Sequence, residues 1–220
     1  KVMQMNFAAV DRSLEALEEI KYPESWADAV EEAACASGDP EYVAKVVRPI
    51  LALQGDDLPV SVFSPDGVVP TGTSKFEKRG IATEVPVWDP RTCIQCNQCT
   101  MICPHAVIRP YLLTADELAK APAGFETKAA IGKEAQGLYF RMQISPLDCT
   151  GCSNCVTYCP AKEKPLSMKP IDEVLAEQER FYEFVSTLPE RNPYNPETVK
   201  GSQFRQPLFE FSGACAGCGE

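Results

Sequence analysis

The sequence has little of several features that common protein functions require. It contains one histidine, His105, among 220 residues, which leaves no Ser/His/Asp or Cys/His catalytic set to assemble. No apolar run approaches the roughly 20 residues of a membrane helix, and no secretory signal stands at the start. No glycine-rich loop of the phosphate-binding type is present. These absences argue against a hydrolase with a catalytic triad, a membrane-spanning protein and a nucleotide-binding P-loop protein.

Positive charge is also scarce. Lysine and arginine number 21 against 31 acidic residues, which gives a formal net charge of −10. A phosphate backbone would be repelled by such a chain, so nucleic acid is not an expected partner. The 19 prolines and 13 glycines predict that much of the chain is loop.

Cysteine, in contrast, is abundant, and eight of the 11 cysteines form one pattern that occurs twice. The first string runs from Cys93 to Pro104 and the second from Cys149 to Pro160. Both read C-x-x-C-x-x-C-x-x-x-C-P, which is typical of bacterial ferredoxins with two [4Fe–4S] clusters. Two copies with the same spacing predict two such clusters.

The spacing also predicts which cysteines share a cluster. Three cysteines separated from one another by two residues can curl round one cube, whereas the fourth follows a short helix and points toward the other cluster. The terminal prolines fix φ and end these short helices. We name the resulting ligand sets the first cluster site, Cys93, Cys96, Cys99 and Cys159, and the second cluster site, Cys149, Cys152, Cys155 and Cys103.

Two alternatives would use the same cysteines. Paired C-x-x-C units also bind zinc in a closed tetrahedron, although zinc does not require the C-x-x-x-C-P ending of both strings. Disulfides are disfavoured because closely spaced cysteines in a long acidic chain are more typical of metal ligands. Because clusters and free thiols suffer oxidation, we expect a reducing, cytoplasmic location.

Other residues that could carry chemistry have simpler interpretations. Cys35 stands among alanines and is predicted to be a small buried apolar residue. His105 is expected to have a structural or surface role, since the cysteines already saturate two clusters. Lys75, Lys78 and Arg79 form a local basic patch, for which solvation or a contact with a neighbouring acidic domain is favoured over a docking site for a redox partner.

The first 88 residues are predicted to be helical and then extended. The pattern predicts an amphipathic helix with three inward apolar residues, a helix that opens with a capping box, a helix that Pro49 ends or kinks, a strand, a turn and a second extended segment. The amphipathic helix spans 11–20, with Leu14, Leu17 and Ile20 inward. The helix with the capping box spans 25–37, and the helix that Pro49 affects starts at Asp39. The strand spans 58–63, the turn 64–67 and the second extended segment 81–88.

The remaining pattern predicts an internal repeat. Strand, cysteine string, short helix and strand occur first around 81–109 and again over 139–170, which implies two halves related by a pseudo-twofold axis with the clusters between them. Small apolar residues are expected to wall the clusters: Ile94, Val107, Ile108, Ile144, Val156 and Leu166. Residues 104–148 contain a long insertion, in which Thr114-Ala-Asp-Glu117 is predicted to cap a short helix. A helix is predicted over 171–188 before a Pro/Asn-rich linker. The predicted fold class is α+β, a two-[4Fe–4S] ferredoxin-like domain with a pseudo-twofold βαβ repeat, flanked by helical and irregular segments.

Several further segments resemble pyruvate:ferredoxin (flavodoxin) oxidoreductase over essentially the whole chain. They are Lys-Phe-Glu-Lys-Arg-Gly at 75–80, Val-Pro-Val-Trp-Asp-Pro before the first string, Pro-Leu-Asp before the second, Lys-Gly-Ser-Gln-Phe at 200–204 and Phe-Ser-Gly-Ala-Cys-Ala-Gly-Cys-Gly-Glu at 211–220. The resemblance implies a segment of a longer polypeptide. Its implied divisions are the end of a preceding domain with a helical linker over 1–37, a small Glu-Lys-Arg domain over 38–85, the ferredoxin-like domain over 86–188 and the start of a thiamine diphosphate domain over 189–220.

The same resemblance implies cofactors and partners. Cys215 and Cys218 would supply two ligands of a third [4Fe–4S] cluster, and Glu220 would lie near thiamine, with no other catalytic residue in this segment. The family oxidises pyruvate with coenzyme A and uses thiamine diphosphate with magnesium; its acceptor is ferredoxin or flavodoxin, and a homodimer is expected. The alternatives are the module of another 2-oxoacid oxidoreductase, a relative that passes electrons to NADP through a fused flavin domain, and a stand-alone ferredoxin-type carrier.

Overall fold

The computed structural model describes residues 2–13, 15–28 and 38–205. The predictions for Leu14, Cys35, Cys215, Cys218 and Glu220 therefore lie outside the described residues, as does most of the helix predicted over 25–37. The chain forms two units, Lys1–Asp39 and Pro40–Glu220.

The first unit contains helix α1, Val2–Asp11, and a 3-10 turn at Glu24–Asp28. The amphipathic helix predicted over 11–20 is wrong, because the helix ends where that prediction begins. The Ser13 hydroxyl donates to the Val10 carbonyl at 2.7 Å, and such local bonds compete with helix continuation. Leu17 and Ile20, predicted to point inward, are 75% and 82% exposed.

The second unit begins with a π-helical stretch, Val43–Val47, that continues into α2, Arg48–Leu51. Pro49 lies in the first turn of α2, and the helix ends soon after it, as predicted. Because proline lacks an N–H, Pro49 cannot donate a bond to the turn before it, and it is tolerated in the first turn of α2.

The strand predicted over 58–63 is also wrong. This segment and its neighbour form 3-10 turns at Gly55–Asp57 and Val60–Val62, closed by bonds such as Val62 N–H to Pro59 O at 3.0 Å. The alternating apolar residues suggested a strand, but local bonds take up the backbone groups that a strand partner would need. The turn predicted at 64–67 is confirmed by the Gly67 N–H that donates to Ser64 O at 3.0 Å, and a further 3-10 turn spans Thr73–Phe76.

The predicted internal repeat is confirmed. Its first copy has strand β1 (Glu84–Trp88), the first string, helix α3 (Gln98–Ile102) and strand β2 (Ile108–Leu113). The insertion follows with α4 (Ala115–Leu118) and β3 (Lys128–Ala129). The second copy has β4 (Tyr139–Ile144), a 3-10 turn at Pro146–Asp148, the second string, α5 (Asn154–Thr157) and β5 (Leu166–Pro170).

Strand pairing relates the two copies. β1 pairs antiparallel with β5, and β2 pairs antiparallel with β4, so the strand before each string pairs with the strand after the other. This exchange of strands is the pairing that a pseudo-twofold axis requires. The fold class is α+β, as predicted. It also brings the end of each string beside the beginning of the other.

The insertion extends the second sheet instead of forming a free loop. β3 pairs with β4 to give the order β2-β4-β3, and a further 3-10 turn lies at Lys133–Ala135. α4 opens with a capping box in which Thr114 and Glu117 bond each other's backbone N–H, as the sequence predicts.

A long helix covers the sheet. α6, Ile171–Ser186, confirms the helix predicted over 171–188 and buries Phe181 and Val185, which pack with Leu113 and Phe125. A short helix, α7, spans Val199–Gln203. Across the described part of the chain, no helix is long and apolar enough to cross a membrane.

The main apolar core lies between the two sheets and includes a cysteine from each string. Phe140, Ile144 and Leu166 are almost fully buried there and belong to the same cluster as Cys93 and Cys155. Burial of this apolar area stabilises the unit. It also places the cysteine strings against surfaces that exclude water.

Candidate iron–sulfur sites

The two strings adopt the same unusual backbone at equivalent positions. Two residues after the first cysteine, Gln95 has φ 56° and Gly151 φ 70°; four residues after it, Asn97 has φ 60° and Ser153 φ 62°. Left-handed conformations are costly for non-glycine residues. Their repetition in both strings shows that the cysteine loops share one shape.

In the first string, side-chain bonds hold this shape. Gln95 donates to Ala129 O at 2.7 Å and accepts from Ile131 N–H at 2.9 Å, which ties the string to β3 and the loop after it. The Asn97 amide donates to Lys200 O at 2.9 Å. The sequence analysis did not predict a role for these two buried amide side chains. The signal that could have identified them is the presence of a polar residue inside a tight cysteine loop.

In the second string, close packing replaces those bonds. A Cβ added to Gly151 would lie 3.1 Å from Glu84 O and 3.5 Å from the Ala82 Cβ. Because the backbone approaches β1 this closely with a positive φ, the position favours glycine.

At the first cluster site, the thiols lie close enough for their charges to interact. Burial raises the pKa of Cys93, and the proximity of Cys96 and Cys159 raises it further. Burial also raises the pKa of Cys99, and the nearby Cys93 and Cys96 raise that pKa further. The structure thus places Cys159 of the second string beside cysteines of the first.

The second cluster site shows the reciprocal arrangement. All four of its cysteines line one cavity, with Pro86, Val107 and Ile108 among its apolar walls. Burial raises the pKa of Cys155 to about 12, with Cys103, Cys149 and Cys152 adding to the rise. The structure therefore places Cys103 of the first string beside cysteines of the second.

The two sites adjoin each other. Charge on Cys155, in the second site, contributes to the raised pKa of Cys99 in the first, and α3 and α5 carry these two cysteines. Two redox groups in this arrangement would be close neighbours within one fold.

The thiols fit an iron–sulfur cube better than the alternatives. The eight cysteines of the strings are free, so none of them forms a disulfide. Within residues 2–13, 15–28 and 38–205, no three Cys, His, Asp or Glu side chains converge closely enough to hold a single metal ion. A zinc ion needs four ligand atoms about 2.0–2.3 Å from one centre, whereas the cysteines of a [4Fe–4S] cluster can lie farther apart, one on each iron.

Backbone and burial supply the environment such a cluster requires. The Gly151 N–H donates to the Cys149 sulfur at 3.4 Å. Bonds of this kind favour the thiolate, whereas burial of the thiols disfavours it; positively charged iron would compensate for that cost. Hydrogen bonds to sulfur and limited solvent access are also the protein's means of setting a cluster potential.

Other candidate residues are either buried with a structural role or exposed at the surface. His105 is buried, at 6% exposure, which fits the structural alternative. Ile94 was expected to wall a cluster but is 51% exposed, so it offers a cluster little shielding from water.

One residue of the basic patch, Lys78, contacts the segment immediately before the second string. Lys78 forms an ion pair with the buried Asp148, which also accepts from the Ser145 hydroxyl at 2.6 Å. Gly80 N–H donates to Leu147 O at 2.9 Å. The ion pair of Lys78 fixes the residue immediately before Cys149, whereas the expectation for the patch as a whole stays a prediction.

Two family profiles match the chain. Residues 29–82 match the EKR domain, a domain of unknown function, and residues 92–162 match a 4Fe-4S dicluster domain. The second match covers both strings and supports [4Fe–4S] binding by this part of the chain.

Relatives match along the whole chain. It is 66% identical to the pyruvate:ferredoxin oxidoreductase of Moorella thermoacetica and 47% identical to a pyruvate-flavodoxin oxidoreductase of Klebsiella pneumoniae, covering 19% of each relative. It is 44% identical to a mitochondrial pyruvate dehydrogenase (NADP+) of Euglena gracilis, of which it covers 12%. In each case all of this chain is matched, while the chain spans about a fifth or less of the relative.

Proposed function

The chain is homologous over its whole length to one segment of the pyruvate:ferredoxin and pyruvate-flavodoxin oxidoreductases, and we propose that it is the electron-transfer segment of such an enzyme. The whole enzyme would convert pyruvate, coenzyme A and oxidised ferredoxin into acetyl-CoA, CO2 and reduced ferredoxin. This chain would connect thiamine diphosphate with the external ferredoxin or flavodoxin.

The observation that carries the proposal is the crossed arrangement of the thiols. Cys159 lies beside the first string, while Cys103 lines the cavity of the second. When bound, a [4Fe–4S] cluster supplies one-electron redox chemistry. The chain's own part is to bind two clusters as neighbours through its cysteine thiolates. It also stabilises thiolates with backbone N–H groups such as that of Gly151 and shields the clusters with the paired strands.

The remaining assignments extend this proposal. Cys215 and Cys218 would be two ligands of a third [4Fe–4S] cluster, and Glu220 would lie near thiamine diphosphate with its magnesium. The divisions at 37/38, 85/86 and 188/189 would separate the preceding segment, the Glu-Lys-Arg domain, the ferredoxin-like domain and the start of the thiamine domain. We also propose a homodimer, as the resemblance to the family implies. A reducing, cytoplasmic setting is proposed because exposed clusters suffer oxidation.

The length of the match favours an enzyme segment over a stand-alone carrier. All 220 residues are shared with much longer relatives, including the regions outside the two strings. The acceptor is the point on which relatives differ, since the printed names include ferredoxin, flavodoxin and NADP+.

The test is pyruvate-dependent ferredoxin reduction by the complete protein that contains this chain. Cys96→Ala removes one thiol of the first cluster site and should abolish or strongly reduce the rate. Cys35→Ala, which removes a thiol outside both strings, is the matched control and should leave the rate unchanged. Full ferredoxin reduction by the Cys96→Ala protein would contradict the proposed role.

A further inference from the structure

Two lysines from separate parts of the chain bind the backbone of the first cluster site. Lys128, on β3, donates from Nζ to Cys93 O at 3.1 Å and to Arg91 O at 3.0 Å. Lys164, in the loop after the second string, donates to Thr157 O at 3.3 Å and also to Cys159 O. Their ammonium groups thus contact the carbonyls of the first and fourth ligands of one site.

A third lysine lies close to the same site. The carbonyl of Lys200, on α7, accepts from Asn97 in the first string. Its ammonium donates to Ile131 O at 2.7 Å and lies 3.9 Å from the centroid of the Tyr194 ring. Burial lowers the pKa of Lys200, whereas the nearby charges of Glu134 and Cys96 raise it.

The second cluster site has a different electrostatic setting. The carbonyl of Cys103, the counterpart of Cys159, accepts a neutral backbone N–H from Ala106 at 3.3 Å. The Lys78 charge is offset by its ion pair with Asp148. Among the described residues, lysine ammonium groups donate to carbonyls of first-site cysteines but to none of the second site. Arg109 is near enough to Cys103 for their charges to interact.

This asymmetry has a direct consequence for redox chemistry. Reduction adds one negative charge to a cluster, and a nearby positive charge stabilises the added charge more when water is excluded. We infer that Lys128, Lys164 and Lys200 raise the reduction potential of the first-site cluster above that of the second-site cluster. The inference rests on the proposed function, and it makes the first site the preferred resting place of the transferred electron.

The test is a redox titration followed by EPR on the complete, cluster-loaded protein. Lys128→Gln and Lys164→Gln each remove a charge but keep an N–H donor. Lys120→Gln, at an exposed position just after α4, is the control for the loss of one surface charge. Cys96→Ser and Cys152→Ser identify the signals, because each changes the ligand of one site only.

Both lysine variants should shift the same midpoint potential toward more negative values, and it should belong to the signal that Cys96→Ser alters. Lys120→Gln should leave all potentials near those of the parent protein. The inference is overturned if neither variant moves that potential beyond the control, or if the shifted signal is the one that Cys152→Ser alters. Iron content is measured first: a protein without iron in the strings would refute the proposed function itself, whereas a loaded protein with unshifted potentials would refute only this inference.

Discussion

Replacing Gly151 by alanine tests whether the second string depends on its close approach to β1. The residue has φ 70°, and the new Cβ would meet Glu84 O at 3.1 Å. A left-handed conformation costs a non-glycine residue about 1–2 kcal/mol. Glu84 pairs with Pro170 at the end of the sheet and cannot withdraw freely, so we expect roughly 1 kcal/mol more from the contact, by the usual cost of overpacking.

Gly137→Ala is the matched control, because Gly137 has φ 82° but no atom within 4 Å of an added Cβ. It should show the conformational cost alone. The difference between the variants, about 1 kcal/mol, corresponds to about 2–4 °C in melting temperature for a domain of this size. Thermal unfolding of the cluster-loaded protein at one fixed scan rate measures it, and equal melting temperatures for the two variants would refute the close-packing argument.

Three other substitutions test the surrounding structure. Glu117→Gln should lower the free energy of unfolding by about 1 kcal/mol at neutral pH. The hydrogen bond from Arg191 lowers the pKa of Glu117 in the folded protein. The stabilisation by the Glu117 carboxylate is therefore full above about pH 4.5 and disappears as the pH falls through the lowered pKa. Urea unfolding at several pH values checks this, and a difference from the parent that grows in acid would contradict it. Asp148→Asn removes the partner of Lys78 from a largely buried ion pair and should cost about 2 kcal/mol; an unchanged urea midpoint would be the contrary result. Phe140→Ala empties a fully buried position between the sheets and should cost about 3–5 kcal/mol, measured in the same urea experiment; a loss below about 1 kcal/mol would show that the core is not packed there as described.

The ferredoxin-like part was predictable because its signals are local and repeated. The two cysteine strings have one spacing, and the strands around them alternate apolar residues, so element order and bounds agree within a few residues over 81–113 and 139–186. The capping box at Thr114 follows a short-range rule and was also predicted correctly.

The errors occur where the outcome depends on surroundings. Residues 58–63 alternate like a strand, but no strand pairs with them in the described chain, and local 3-10 bonds replace the ladder. The apolar residues Leu17 and Ile20 suggested an inward helix face, yet a pattern cannot reveal whether another surface covers it. Hydropathy alone does not supply a partner.

Polar support for the cluster sites was the least predictable feature. Gln95 reaches β3 across 34 positions of sequence, and Lys200 meets Asn97 across 103. Contacts over such separations depend on the folded insertion. No spacing rule identifies the lysines that bind the Cys93 and Cys159 carbonyls, because each looks like an ordinary charged residue in the sequence.

The crossed ligation of two clusters is tested most directly by a crystal structure of the loaded protein with an anomalous map at the iron edge. Crossed ligation predicts two four-iron cubes, with Cys159 Sγ bound to the cube of Cys93, Cys96 and Cys99, and Cys103 Sγ bound to the other. A cube that takes all four ligands from one string, or a single zinc ion at either site, would contradict it.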